Sequence, residues 1–357
     1  MNTNKTTKYA LVDHCYQDFM QDELRNTDFI ESIIESINNK SNSLVTIIHH
    51  SDMDGVCAAQ IMMDFCYRVL NVSKVDFIQY NYSNDFDINK HINSACNYVI
   101  AVDLSIPYKE WYKIFNKKEY RKGLFIDHHL GSVRDIYEHE TEFNSLPLEK
   151  FITIDGCGTA LSYFLTKSFY SNIKFVTLGK LFNERTIFLV DVYDRWLDTE
   201  DKYWADCLNK YLYASNQLFV DSKPVRDVLY KENNKLSDAL TKGNTYLQLE
   251  KQLNVFKYND FSEELTLHTP DGSEYKACVM WGPGNSQLFG DHIKDFDVVI
   301  RANYNAEKQE YYFSFYTVKE DVDCCAIAKQ YGGSGHSQSS GCQTSYNILN
   351  KKWKVDN

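Results

Sequence analysis

The chain has 357 residues, of which 43% are hydrophobic and 24% are charged, and this length is sufficient for two folded domains. The formal net charge of −11 argues against a long nucleic acid as the main partner, because such partners require a basic surface. The N-terminus is polar and no apolar run approaches the roughly 20 residues of a membrane span, so we expect a cytoplasmic protein with reduced cysteines.

Residues 1–43 carry apolar positions at helical spacing and predict an N-terminal helical extension. From residue 44 onward, short β-rich runs alternate with helical patterns. The predicted strands are 44–48, 75–80, 98–102 and 124–126, with a further strand-like run at 151–154. This alternation predicts an α/β fold with a mostly parallel sheet and helices on both faces. Ligands of such sheets bind beyond the carboxyl ends of the strands.

The second half of the chain changes in character. A mainly helical pattern extends from residue 159 to residue 256, and 195–260 is interpreted as a helical connector. The remainder, 261–357, predicts a smaller α+β domain, because β-rich runs flank polar turns such as Thr-Pro-Asp-Gly. These runs are expected to form antiparallel strands.

Acidic and histidine residues follow three of the predicted strands. They are the segment HHSDMDG at 49–55, Asp103, and Asp-His-His at 127–129. A single aspartate after a strand is usually a helix cap or a turn former. Three such clusters at one sheet edge would instead place about five ionisable groups together, where the carboxylates repel one another. Divalent cations would remove this repulsion.

The donor types indicate which cation to expect. Carboxylate and imidazole groups without thiolates favour Mn²⁺, with Mg²⁺ or Co²⁺ as alternatives. Two such ions that share a carboxylate would activate a water and stabilise a phosphoryl transition state. The sequence therefore predicts a two-metal phosphodiesterase.

These motifs resemble those of the DHH phosphoesterases. HSDMDG (50–55), AVDLS (101–105) and FIDHH (125–129) are similar to the first three family motifs, and LVDVYDRW (189–196) is similar to the fourth. DVDCCAIAKQYGGSGHSQSSG (321–341) resembles the glycine-rich signature of the DHH-associated C-terminal domain, which binds the substrate. The resemblance implies a DHH catalytic domain at 44–194 and a substrate-binding domain at 261–357.

Motif positions in this family imply roles for individual residues. The implied metal ligands are His50, Asp52, Asp54, Asp103 and His128. Asp103 is expected to bridge the two ions. For the fourth motif both Asp191 and Asp194 are candidates, and Asp191 is preferred because it follows an apolar run, as the family position usually does.

The resemblance also implies residues that act on the substrate. His129 is expected to contact the substrate phosphate, and Asp127 is expected to orient a histidine. Backbone groups of the glycine-rich segment are expected to approach a phosphate. This segment contributes Gly332, Gly333, Ser334, Gly335 and His336. Family members often carry an arginine in the preceding strand, whereas this chain has Tyr316 there, which is expected to stack on a base.

One further segment, 156–160, opens a helix with the sequence Gly-Cys-Gly-Thr-Ala. Its free amides could bind an anion, and close helix packing explains the glycines equally well. The sequence leaves both alternatives open.

The form of the first motif favours a nanoRNase B-like 3′–5′ exonuclease that acts on short oligonucleotides. The alternatives are a phosphodiesterase for cyclic or linear dinucleotides and a 3′-phosphoadenosine 5′-phosphate phosphatase. A catalytically inactive nucleotide-binding protein is the non-enzymatic alternative. A homodimer is compatible with the sequence, and neither a long duplex nor a membrane is expected as a partner.

Overall fold

The structure is a computed structural model that describes residues 44–80, 87–116, 121–172, 181–233, 235–335 and 337–350. The predicted helical extension at 1–43 and the predicted substrate ligand His336 lie outside the described residues. The chain divides into two compact units, of which the first ends at Asn244 and the second begins at Thr245. The domain boundaries predicted after residues 194 and 260 stay predictions.

The first unit contains a five-stranded sheet. Its strands are β1 (Leu44–His50), β2 (Lys74–Tyr80), β3 (Tyr98–Val102), β4 (Lys122–Asp127) and β5 (Leu148–Ile152). They are ordered β2-β1-β3-β4-β5, and every neighbouring pair is parallel. The strand order reverses beside β1, and in open parallel sheets such a switch point is where ligands bind.

Helices cover both faces of this sheet. The helices that begin in the first unit are α1 (Met53–Arg68), α2 (Ile88–His91), α3 (Tyr108–Asn116), α4 (Leu130–Glu138), α5 (Glu140–Asn144), α6 (Gly158–Asn172), α7 (Glu184–Asp194), α8 (Lys202–Ala214), α9 (Lys223–Leu229) and α10 (Leu236–Phe261), of which α10 continues into the second unit. Successive strand residues enter different cores, since Ile47 packs against α1 and α6 while Ile48 packs against Trp111 of α3. Burial on both faces is typical of parallel strands, and the predicted α/β fold is confirmed.

The second unit contains a six-stranded mixed sheet. Its strands are β6 (Ser262–His268), β7 (Glu274–Trp281), β8 (Val298–Asn305), β9 (Glu310–Tyr316), β10 (Ser334–Gly335) and β11 (Ser339–Thr344). The order is β10-β11-β9-β8-β7-β6, and the short helix α11 (Cys324–Lys329) contributes to the core on one face. The pairs β6–β7 and β8–β9, which flank the predicted turns, are antiparallel as expected. β7 and β8 are instead parallel, because the 3₁₀ segment Ser286–Asp295 returns the chain to the starting edge of the sheet.

Two sequence-based expectations can be compared with the described residues. No helix in this part of the chain combines the length and apolar character required to cross a bilayer. Its cysteines are all free, and all except Cys325 are buried, which fits their use as small apolar side chains.

The contact between α8 and α10 gives a test of the packing. A Cβ atom at Gly243 would lie 1.8 Å from the carbonyl oxygen of Cys207, so the helices could not keep their spacing. We expect Gly243→Ala to lower the free energy of unfolding by about 1–3 kcal/mol, measured by urea denaturation. Lys242→Ala, at the adjacent exposed position, is the control and should change stability by at most about 0.5 kcal/mol. Equal stability of the two variants would contradict this packing.

Candidate metal centre

The end of β1 and the start of α1 are held together by a short polar turn. Asp52 caps the helix, because its Oδ1 accepts a hydrogen bond from the Gly55 amide at 2.9 Å. Its Oδ2 lies 2.8 Å from Nδ1 of His50. A Cβ atom at position 55 would lie 2.5 Å from the His50 carbonyl oxygen, so the close approach of helix and strand requires glycine.

Asp54 is bound by the amino-terminal end of α6. Its Oδ2 accepts from the Gly158 amide and its Oδ1 from the Thr159 amide, both at 2.7 Å. The free amides at a helix start favour negative charge, and here they bind a carboxylate of the chain itself. A Cβ atom on Gly158 would lie 2.6 Å from Cβ of Asp103. Segment 156–160 therefore serves both close packing and the binding of an anionic group.

Asp103 follows β3 in an unusual conformation. Its φ is +54°, a region that costs free energy for a residue other than glycine. The side chain is buried, and among the described residues its Oδ2 has no hydrogen-bond partner. Burial and the neighbouring carboxylates of Asp54 and Asp52 raise the pKa of Asp103 well above its usual range. A bound cation would provide the missing partner.

Asp127 and His129, at the end of β4, form a hydrogen-bonded pair. Asp127 is fully buried and lies 2.7 Å from Nδ1 of His129, while its other oxygen accepts from Ser132 Oγ at 2.5 Å. Burial alone would raise the pKa of Asp127, but these hydrogen bonds outweigh burial and hold the pKa below its usual value. The His129 side chain is 40% exposed. Asp127 is therefore placed to orient the ring of His129, and the contact of His129 with the substrate stays a prediction.

Among the described residues, three groups of possible metal ligands have ligand atoms within 4.8 Å of one another. The first group is His50, Asp52 and Asp103, and the second is Asp54, His128 and Asp194. The third joins Asp103 and His128 to the pair formed by Asp127 and His129. Nε2 of His128 lies 3.1 Å from Asp103 Oδ1 and 3.3 Å from Asp194 Oδ2. Asp103 therefore belongs to the first group and contacts the second, as expected of a bridging ligand. Oxygen and imidazole donors fit divalent cations such as Mn²⁺.

The structure distinguishes the two fourth-motif candidates. Both oxygens of Asp191 accept hydrogen bonds from Arg195 at 2.8 Å, and one also accepts from the Cys157 amide. Asp194 instead faces His128, and burial together with the nearby Asp54 raises its pKa to about 8. This geometry favours Asp194 over Asp191, against the preference drawn from the sequence. The i,i+4 spacing between Asp191 and Arg195 was the feature of the sequence that could have indicated this ion pair.

Other residues at this edge support the cluster without belonging to the predicted set. Ser132 donates to Asp127 and the Thr159 amide donates to Asp54. Ser132 was not identified from the sequence, whereas Thr159 lies in the segment 156–160 that the sequence offered as a possible anion-binding helix start. His49 is buried, its Nδ1 lies 2.6 Å from the carbonyl oxygen of His50, and its ring packs edge-on to Phe77. It therefore lies outside the two ligand groups.

The glycine-rich segment lies in the second unit. Gly332 and Gly335 have φ values of +77° and +142°, which favour glycine. A Cβ atom at Gly333 would lie 2.2 Å from the Gly341 carbonyl oxygen. Tyr316 is half-buried at the end of β9. The substrate-binding roles of these residues stay predictions.

Residues 44–184 match the model of the DHH family, N-terminal domain, which supports the DHH phosphoesterase family for this part of the chain. None of the curated proteins compared with the chain matches it. The fold is similar to a solved structure of exonuclease RecJ bound to manganese, with a TM-score of 0.52, 10% identity, and coverage of 87% of this chain and 89% of that chain. This likeness shows the fold.

Two further solved structures are more distant in shape. RecJ from Thermus thermophilus in complex with Mn²⁺ has a TM-score of 0.49 and 10% identity, and the match covers 88% of this chain and 52% of that chain. An uncharacterized protein from Helicobacter pylori has a TM-score of 0.35 and 16% identity, with 86% and 94% covered.

The choice between the two aspartates of α7 can be tested by metal binding. We expect Asp194→Asn to weaken Mn²⁺ binding by at least about tenfold, because it removes a charged donor from the second group. Asp191→Asn should keep the metal stoichiometry and instead lower the melting temperature, since it disrupts the pairing with Arg195. Isothermal titration with Mn²⁺ and thermal melts of both variants make the comparison. The reverse pattern would assign the fourth ligand to Asp191.

Proposed function

We propose that the chain is a metal-dependent phosphodiesterase that uses two Mn²⁺ ions to hydrolyse short oligonucleotides from the 3′ end. The observation that carries the proposal is Asp103. A buried carboxylate oxygen without a partner among the described residues, between two groups of acidic and imidazole donors, is the arrangement expected of a bridging metal ligand.

The proposed ligands follow from the two groups. His50, Asp52 and Asp103 would hold one ion, and Asp103, Asp54, His128 and Asp194 would hold the other. When bound, such ions lower the pKa of a water and stabilise charge on the phosphoryl oxygens. The protein contributes a rigid frame, because helix amides fix Asp54 and a cap hydrogen bond fixes Asp52.

His129 would act on the substrate through its exposed edge. Asp127 accepts from Nδ1 and fixes the direction of the ring. Burial lowers the pKa of His129, but the hydrogen bond with Asp127 outweighs burial and raises the pKa above its usual value. The raised pKa favours the charged imidazolium, which carries a proton on Nε2. That proton can be donated to a phosphate oxygen, where it stabilises developing negative charge.

The preference for short substrates is supported by charge. A net charge of −11 opposes the binding of many phosphates along a long strand. A substrate of a few nucleotides needs only local contacts, and the glycine-rich segment of the second unit is proposed to supply some of them through Gly332, Gly333, Ser334, Gly335 and His336, together with Tyr316.

The test is a substrate panel in Mn²⁺ that compares dinucleotides, longer oligomers, cyclic dinucleotides and 3′-phosphoadenosine 5′-phosphate. Oligomers of a few nucleotides should be degraded fastest, from the 3′ end, and EDTA should stop the reaction reversibly. Faster turnover of another class would change the substrate assignment. Lack of turnover of every member, and of the chromogen bis(p-nitrophenyl) phosphate, would favour the inactive nucleotide-binding alternative.

Asp103→Asn is expected to abolish turnover and to lower the occupancy of both metal sites, because a bridging ligand serves both ions. Asparagine tolerates positive φ, so the backbone conformation is preserved. Removal of one repelling carboxylate should also raise the melting temperature of the metal-free protein, and Mn²⁺ should stabilise the wild type more than this variant. Metal analysis and thermal melts with EDTA or Mn²⁺ provide the readouts. Wild-type turnover by this variant would refute the bridging role.

Asp127→Asn is expected to lower kcat by about 10- to 100-fold while metal content stays unchanged, because the change affects the orientation of His129. If Asp127 acts through that histidine, the double variant with His129→Ala should be no slower than His129→Ala alone. Steady-state kinetics and metal analysis of the three variants check this. Additive losses would show that Asp127 has a separate role.

A further inference from the structure

Three strands of the second unit, β8, β9 and β11, have two chemically different faces. On one face alternate residues enter the apolar core beside α11, as Ile300, Phe313, Phe315 and Cys342 do. The other face carries mostly polar residues. They are Arg301, Asn303, Tyr312, Ser314, Tyr316, Ser339 and Gln343. Val299, opposite Tyr316, is the apolar exception, and it packs with Tyr316 and with Met280, the β7 neighbour of Arg301, in a smaller cluster. None of the polar residues is fully buried, so their polar groups remain accessible beside this cluster.

One row across this face joins a cation to the glycine-rich segment. Arg301 is directly opposite Ser314, Ser314 is opposite Gly341, and Gly341 is opposite Ser334 of β10. Residues in direct register share a face of the sheet. A Cβ atom at Gly341 would have a single neighbour within 4 Å, the Phe313 carbonyl oxygen at 3.1 Å. The row therefore has open space between Arg301 and β10.

Arg301 has unused hydrogen-bonding capacity. It is the sole arginine of residues 245–357. Its Nε is buried and lacks a hydrogen-bond partner within the described part of the chain, and its Nη2 donates to Ser314 Oγ over a long 3.4 Å. A guanidinium offers five donors in a planar fork that matches phosphate or carboxylate. Burial of an unpaired donor is unfavourable, and an anionic ligand would remove that cost.

The surroundings of Arg301 on this face favour an anion. The next row contains Asn303, Tyr312 and Gln343, which are neutral. The face does include Glu310, but this residue is opposite Asn305 at the far end of β9 and accepts a hydrogen bond from Tyr312 at 3.2 Å. The positive charge in the row of Arg301 is therefore not neutralised by an adjacent carboxylate among the described residues.

We propose that Arg301 and Ser314, with the backbone of β10, form a binding site for a phosphate group of the nucleotide substrate. The proposal deepens the proposed function and rests on it for the identity of the ligand. Gly341, which leaves the face open beside Ser314, allows a phosphate to approach the strands closely. The neighbouring amide and hydroxyl side chains suit the polar edges of a nucleoside.

The site can be tested without the metal centre. The full chain is treated with EDTA, and binding of adenosine 5′-monophosphate and of adenosine is measured by isothermal titration. We expect Arg301→Met to weaken binding of the monophosphate by about 10- to 100-fold, as for other hydrogen bonds to charged groups, with little effect on adenosine. Arg301→Lys should retain part of the affinity, because lysine keeps the charge and loses the planar fork.

Control variants separate the loss of this binding site from a change in overall charge and from unfolding. Lys308→Met removes the same charge from the exposed β8–β9 turn and should bind the monophosphate like the wild type. Ser314→Val alters the same site from the neighbouring strand β9, and valine is well suited to a β-strand. This variant should also weaken binding of the monophosphate. Thermal melts establish that each variant is folded.

The outcomes distinguish this proposal from the proposed function. Failure of the metal-free wild type to bind the monophosphate, or equal binding by folded Arg301→Met, would overturn the site. Should Arg301→Met not fold, unchanged binding by Ser314→Val would overturn it. Turnover of bis(p-nitrophenyl) phosphate by the wild type with Mn²⁺ tests the proposed function separately. Binding of the monophosphate that depends on Arg301, without any turnover, would support the nucleotide-binding site and contradict the proposed hydrolase activity.

Discussion

Electrostatic repulsion among buried carboxylates is the constraint on which the first unit depends. Asp54, Asp103 and Asp194 lie around the same imidazole, that of His128. Charges at such separations repel strongly where water is excluded. The surrounding structure supplies specific partners for the outer carboxylates. Arg195 and the Cys157 amide bind Asp191, and His129 and Ser132 bind Asp127. Asp103 retains an oxygen without a partner among the described residues, which a bound cation would supply.

The same constraint explains the positions of two glycines. The carboxylates can converge only if the starts of α1 and α6 approach the ends of β1 and β3 closely. At Gly55 and Gly158 a Cβ atom would lie within 2.6 Å of its nearest neighbour, which is too close for any other residue. The left-handed backbone conformation of Asp103 is likewise unfavourable for a residue other than glycine. Strain of this kind is typical of sites whose geometry serves function rather than stability.

Local sequence patterns were sufficient to predict the strand ends that carry the site. They were insufficient to predict the hydrogen-bond partners of each carboxylate. Buried strands of a parallel sheet are continuous apolar runs, so the strand ends that bear Asp52, Asp103 and Asp127 could be located from the sequence. The choice between Asp191 and Asp194 depends on which of them is bound by Arg195 and by the Cys157 amide. The Arg195 pair is local, at i,i+4 spacing, whereas the Cys157 amide reaches Asp191 only through the tertiary fold. The parallel pairing of β7 and β8 also depends on the path of the 3₁₀ segment between them.

The carboxylate cluster of the first unit and the polar face around Arg301 in the second unit differ in the sign of their local charge, and this difference bears on substrate size. The first unit concentrates carboxylates that fit cations, whereas the polar face of the second unit carries Arg301, the sole arginine of residues 245–357. A protein that follows a long strand needs many cationic contacts, one for each phosphate that it neutralises. One arginine with neutral neighbours can hold one phosphate and leave the rest of the nucleotide to hydrogen bonds. Affinity would then grow little with each added nucleotide, and selection for short substrates would follow from the charge distribution.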